Sequence, residues 1–162
     1  MVVVDTSAFI SLSVGDVLKA VLDEYSVHTT QHVHNELLDT AAYDDIHGDA
    51  ADAVLSSGAT ITVHESTDPA IETLRIAAGE ASCIELVNRE TAAFPITDDL
   101  RTLPELQSLT DAQVAISPIL LRALVTRDVL TATDAQERLD QIARSRDWLG
   151  APIYRRAQKP FE

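Results

Sequence analysis

Apolar and polar residues alternate along this chain in blocks, and the period changes from block to block. It opens on "MVVVD", a β-branched run closed by an acid, which reads as a buried parallel strand. Val17, Leu18, Val21 and Leu22 then recur at helical spacing after a Gly15-Asp16 start. "SVHTT" is a short second strand, and "QHVHNELLDTAAY" is helical through Val33, Leu37, Leu38 and Ala41. Residues 49–57 form a further helix ending at Gly58, placed as a C′ glycine. "ATITVHE" alternates as a third strand. Asp68-Pro69 opens a helix that stops near Gly79, and "EASCIELVNRE" opens the next. "AAFPIT" is the fourth strand, where Pro95 is tolerable only if its missing donor is not needed. A helix begins at "DLRTLPELQ", which Pro104 interrupts or re-initiates. "AQVAIS" is the fifth strand. Two helices finish the pattern, "PILLRALVTRD" and "TDAQERLDQIARSRDWL", the latter capped by Thr133 or Asp134.

Strands that alternate with helices predict an α/β fold with a parallel sheet covered on both faces. No repeat, linker or low-complexity tract divides it, and 162 residues suit one domain, taken as residues 1–150. Residues 151–162 read as a basic tail carrying Arg155, Arg156 and Lys159. It is either a contact for RNA phosphates or an acidic partner, or, as we prefer, a loosely ordered terminus. Trp148 reads as an anchor for the last helix.

Composition changes the picture in two ways. The apolar fraction of 46% excludes wholesale disorder, and no apolar run reaches the roughly 20 residues of a membrane span. The N-terminus lacks the basic flank of a signal peptide, and the single Cys83 excludes a disulfide framework, so a reducing cytoplasm is expected. Twenty-six acids against twelve Lys and Arg give a net charge of −14, which would repel nucleic acid at low salt. Either the protein avoids acidic partners, or it is adapted to a salty, halophilic cytoplasm. The second reading is preferred because lysine, present only as Lys19 and Lys159, is as scarce as acid is abundant.

The acids fall where parallel α/β sheets gather ligands, beyond the carboxyl ends of strands. Asp5 closes the first strand, Asp98 and Asp99 follow the fourth, Glu36 lies in the helix after the second, and Glu80 starts a helix. Each has an ordinary explanation. Asp5, Asp98 or Asp99 can cap a helix, Glu80 suits a first turn, and Glu36 suits a solvated face. Together they are more informative, because clustered carboxylates need a cation. An oxygen-only set without Cys or an obligatory His suits Mg²⁺ or Mn²⁺ rather than zinc. His28, His32 and His34 do not have zinc-protease spacing and read as surface residues. Cys83 reads as core packing.

The stretches "VVVDTSAFISL", "VHNELLD", "GEASCIELV" and "ITDDLR" resemble the PIN-domain family in order and spacing, over residues 1–145. "AISPILLRALVTRDVLTATDAQERLDQI" resembles the PIN-like branch whose final helices follow the fifth strand. The resemblance implies a Rossmann-like three-layer α/β/α sandwich with a five-stranded parallel sheet of order 3-2-1-4-5. It implies an acidic pocket for Mg²⁺ or Mn²⁺ and ribonuclease activity. Many members are toxins of toxin–antitoxin pairs, so an antitoxin protein becomes a candidate partner beside RNA, as does a homodimer through apolar helix faces.

By position, Asp5 matches the first metal-binding aspartate and Glu36 the glutamate of the second motif. Glu80 takes the third acidic position, where many members carry aspartate. Thr97 and Asp99 match a threonine-x-aspartate motif, with Asp98 filling the x. The resemblance therefore implies Asp5, Glu36, Glu80 and Asp99 as catalytic acids and Asp5, Glu80, Asp98 and Asp99 as metal ligands. Within the pair, Asp99 is expected to face the metal and Asp98 to cap a helix or lie in the outer shell. Thr6, Ser7, Thr97 and Arg101 are the expected substrate contacts. Basic residues near such a pocket are few: Arg75, Arg101, Arg122 and Arg127. The rival from another class is a PIN-like binding or scaffold module without turnover. A phosphatase would want a second acid two residues after the first in "DTSAF", and a receiver a lysine after the last strand at "AISPILL"; neither is present.

Overall fold

Val2–Val4 (β1) forms the middle of a parallel sheet because three β-branched residues in succession can be buried on both faces. The computed structural model describes residues 1–66, 69–70, 75–90 and 94–159. Val27–Thr30 (β2) pairs with one edge of β1, and Phe94–Ile96 (β4) pairs with the other. Ile61–His64 (β3) adds to β2, giving the order β3-β2-β1-β4. The expected order 3-2-1-4-5 is thus followed through its first four strands. The fifth shrinks to one parallel bridge, Ile96↔Ala115.

Pro95 accounts for that truncation. Its carbonyl accepts from the Ala115 N–H at 3.0 Å, and the Thr97 N–H donates back to Ala115 at 2.9 Å. Extending the ladder backward on this side would need an N–H from residue 95, which proline lacks.

The stretch after β1 makes two helices rather than one. Thr6–Val14 (α1) precedes Leu18–Glu24 (α2), and Gly15 ends α1 instead of opening a helix. A Cβ on Gly15 would lie 2.6 Å from the Ile142 side chain, so glycine admits the close approach there. Asp16 then takes a left-handed turn at φ 53°. Gln31–Ala41 (α3) and Ile46–Ser56 (α4) pack against each other, with α4 starting earlier than expected because Asp45 caps it. Gly58 is not a left-handed cap; it opens a short 3-10 turn.

Ala78–Arg89 (α5) lies against β1, β2 and β4, and Gly79 sits inside its first turn. The helix expected to open at Asp68 lies partly outside the described residues, as do the first two residues of "AAFPIT". Leu103–Ser108 (α6) starts with Pro104 in its first turn, so that proline re-initiates the helix. Pro118–Thr126 (α7) and Ala132–Ser145 (α8) follow. The cap of α8 is Thr131, not Thr133, and Asp134 completes a capping box with it. Residues beyond Trp148 form a further helix, Pro152–Gln158 (α9), with Ile153 and Ala157 buried. The core runs from Val3, Val4 and Phe9 through Ile84 to Leu121, Leu139 and Ile142. Among the described residues no helix is long and apolar enough to cross a membrane.

Candidate active site

Each strand of the central pair delivers a polar turn to the carboxyl edge of the sheet. Asp5 leaves β1 with extended backbone, and its carboxylate caps α1. Oδ1 accepts from the Ala8 N–H at 2.9 Å and from the Ser7 hydroxyl at 2.9 Å, while Oδ2 accepts from Thr97 Oγ1 at 2.7 Å. The ordinary capping role and the position expected of a site acid therefore coincide in one residue. Asp5 is 5% exposed, and this burial raises its pKa from 3.8 to about 7 against the pull of its hydrogen bonds; the Asp98 charge pushes the same way.

Two hydroxyls clasp the β1 exit to the β4 exit. Thr97 Oγ1 also accepts from the Asp99 N–H at 3.2 Å, and Ser7 Oγ accepts from the Asp98 N–H at 2.9 Å. Residues 92 positions apart in sequence are thus held as neighbours, which is what the order β1-β4 makes possible.

A second group forms where α3 meets α5. Glu36 Oε1 accepts from the Gly79 N–H at 3.2 Å, and Oε2 accepts a short hydrogen bond from Thr6 Oγ1. A Cβ on Gly79 would stand 2.5 Å from Oε1, so glycine lets the positive end of α5 reach this carboxylate. The next residue, Glu80, accepts from Thr102 Oγ1 at 2.6 Å and from the Ala77 N–H at 3.2 Å. Burial raises its pKa, those hydrogen bonds oppose the rise, and the charges of Asp99 and Glu36 add to it.

The paired aspartates part company. Asp98 is buried and turns toward α7, where it accepts from the Ser117 N–H at 2.7 Å and the Ser117 hydroxyl at 2.8 Å. Burial raises its pKa against these bonds. Asp99 stays at the cleft, gripped by Arg101 through Nε at 3.1 Å and Nη2 at 2.8 Å. That grip holds its carboxyl below the usual range.

Asp5, Glu36 and Glu80 share one electrostatic field. All three charges push up the thiol of Cys83, whose burial beneath them is the larger cause, so Cys83 stays protonated and packs in the core. The donor set fits a hard divalent cation in kind, being carboxylate and hydroxyl oxygens. In this conformation each carboxylate is held by protein donors, and among the described residues no three of His, Cys, Asp and Glu form an ion-holding group. His28 pairs with His64 at 2.7 Å across β2 and β3. Arg127 is committed to Glu24 and the Tyr25 ring, leaving Arg101 as the cation in contact with a site acid among the described residues.

Three contributors escaped the sequence reading. Gly79 was expected to stop a helix, yet it seats Glu36; Thr102 fixes Glu80; Ser117 draws Asp98 away. The "GE" dipeptide was a usable signal for the first, whereas the two hydroxyls look like any capping residue. Thr6, Ser7 and Thr97, expected at the substrate, have their hydroxyls on Glu36 and Asp5.

A family profile described as a PIN domain matches residues 1–162. No curated protein matches the chain at a significant level. The parallel sheet, the acids at its carboxyl edge and the full-length match agree: the chain belongs to the PIN domain family.

Proposed function

We propose that the protein is a divalent-metal-dependent endoribonuclease, hydrolysing RNA phosphodiester bonds at the carboxyl edge of the sheet. The observation that carries this reading is the shared field of Asp5, Glu36 and Glu80, with Asp99 beside Glu80, in a chain of the PIN domain family. Like charges in one cleft disfavour one another unless a cation joins them.

Asp5, Glu80 and Asp99 would hold Mg²⁺ or Mn²⁺, with Asp98 behind them on Ser117. When bound, such an ion supplies a more acidic water and counter-charge for the scissile phosphate. Thr97 and Ser7 orient Asp5, and Thr102 orients Glu80. Glu36, half-buried and held by Thr6 and Gly79, would accept the proton of the attacking water. No protein nucleophile is needed.

Calorimetry with Mn²⁺ tests the site. Wild type should bind and Asp5→Asn should largely lose binding; a wild type that binds no metal sinks the reading. The second reading, a PIN-like binding module without turnover, draws on the observation that every site carboxylate already has protein donors. Metal binding without RNA cleavage at any salt would favour it. A role as the toxin of a toxin–antitoxin pair in a halophilic cytoplasm extends the proposal. Leu38, Tyr43 and Ile46, all exposed, offer a surface for an antitoxin or a second copy, which light scattering and co-purification would check.

A further inference from the structure

Arg101 stands where a cation for Asp99 would stand. Its Nε and Nη2 take both carboxylate oxygens, and its own backbone N–H adds a third bond to Oδ1 at 2.9 Å. The two side chains differ sharply in exposure, 23% for Asp99 and 90% for Arg101. The acid is therefore largely covered and the guanidinium lies in solvent. Asp5, Glu36 and Glu80 are answered by hydroxyls and backbone amides, and Arg146 acts on buried Asp98 only through its charge, so among the described residues Asp99 is the site acid in direct contact with a guanidinium.

We propose that Arg101 is a tethered counter-cation that holds Asp99 while no divalent ion is bound, competes with the ion for that carboxylate, and on displacement presents its guanidinium to the RNA backbone. This rests on the reading of the site as a metal-dependent ribonuclease centre. The exchange is chemically matched. A planar guanidinium fork fits a carboxylate and a phosphate equally well, so one side chain serves both partners in turn. Apart from Asp99 its side chain is almost wholly in solvent, so release requires no repacking. The chain is also poor in cations, with twelve Lys and Arg against 26 acids, which makes one guanidinium beside Asp99 count for more.

A counter-cation differs from two simpler roles of Arg101 in the sign of its effect on metal binding. A structural arginine would weaken metal and RNA binding together when removed. An arginine that contacts substrate alone would leave metal affinity unchanged. A counter-cation must oppose the metal, so its removal tightens metal binding and weakens RNA binding.

Mn²⁺ titrations by calorimetry on the full chain, at fixed pH and salt, would compare wild type with Arg101→Met and Arg101→Lys. They would include Asp99→Asn with and without Arg101→Met. We expect Arg101→Met to bind Mn²⁺ about threefold to tenfold more tightly, with Arg101→Lys in between. In the Asp99→Asn background the same substitution should change little, because the contact it removes is gone. At saturating Mn²⁺, KM for a single-stranded RNA should rise in Arg101→Met more than kcat falls. Thermal melts matching wild type would show the fold intact. A wild type that binds no Mn²⁺ overturns the metal site itself. Wild-type binding with equal or weaker binding in Arg101→Met overturns the counter-cation alone. Tighter metal binding with unchanged KM overturns the handover to RNA.

Discussion

Asp5→Asn should make the metal-free protein more stable, and increasingly so as pH rises. Asp5 is buried, and its pKa rises from 3.8 to about 7 in the folded chain. The folded state therefore holds a proton more tightly than the unfolded state. Below about pH 4 both states are protonated and no penalty exists; stability is lost as pH climbs, and the loss is complete above about pH 7. A rise of that size corresponds to about 4 kcal/mol. Asparagine carries no charge, keeps an oxygen for the Ala8 N–H, and offers its amide to Thr97 Oγ1, which rotates to accept. Repacking around the amide offsets part of the gain, leaving on the order of 2–4 kcal/mol at about pH 8. For a chain of this length that is a rise in Tm of roughly 5–15 °C. Urea or thermal melts with EDTA in about 1 M KCl, compared at about pH 4.5 and pH 8, measure it. A gap that does not widen with pH, or a variant less stable at pH 8, would refute the reasoning that burial strains this carboxylate.

Other expectations follow from neighbouring contacts. Gly79→Ala forces a Cβ into the Glu36 carboxylate, so the flexible Glu36 side chain swings off the Gly79 N–H; urea melts should change by less than about 1 kcal/mol while Mn²⁺ binding weakens. Ser117→Ala leaves buried Asp98 with one hydroxyl fewer and should cost about 1–3 kcal/mol at about pH 8, and less as pH falls and the acid takes up its proton. Thr102→Val removes a donor that opposes the raised pKa of Glu80, so NMR titration should find that pKa higher still. With a net charge of −14, Tm should climb as KCl is raised from about 0.1 to 2 M; a falling Tm would argue against salt adaptation.

The acids at strand ends were legible because strand runs, turn positions and spacing fix where a parallel sheet places its carboxyl edge. Asp5 needed nothing beyond "VVVD" to be found there. Helix α1 was not legible. It buries Ala8 through Leu12 on nearly all sides, so it shows no 3.6-residue period. The fifth strand looked sound locally, but its pairing depended on an N–H that Pro95, 20 residues earlier, does not have. The division of labour between Asp98 and Asp99 was set by Ser117, 19 residues on, and by the local turn that folds Arg101 back onto Asp99, and the adjacent pair in sequence carries no mark of either. Likewise, "GE" read as a helix boundary because glycine's space requirement concerns Glu36, which is 43 positions away.

Metal-dependent hydrolysis of RNA by these acids is open to a direct assay. Incubating an end-labelled single-stranded RNA with the purified chain and Mn²⁺ in about 2 M KCl tests it most directly. We expect cleavage that EDTA stops, that Asp5→Asn and Asp99→Asn abolish, and that yields products without 2′,3′-cyclic phosphate, since water attacks the phosphorus. Cleavage that survives EDTA or either substitution, or an RNA left intact while Mn²⁺ is bound, would contradict it.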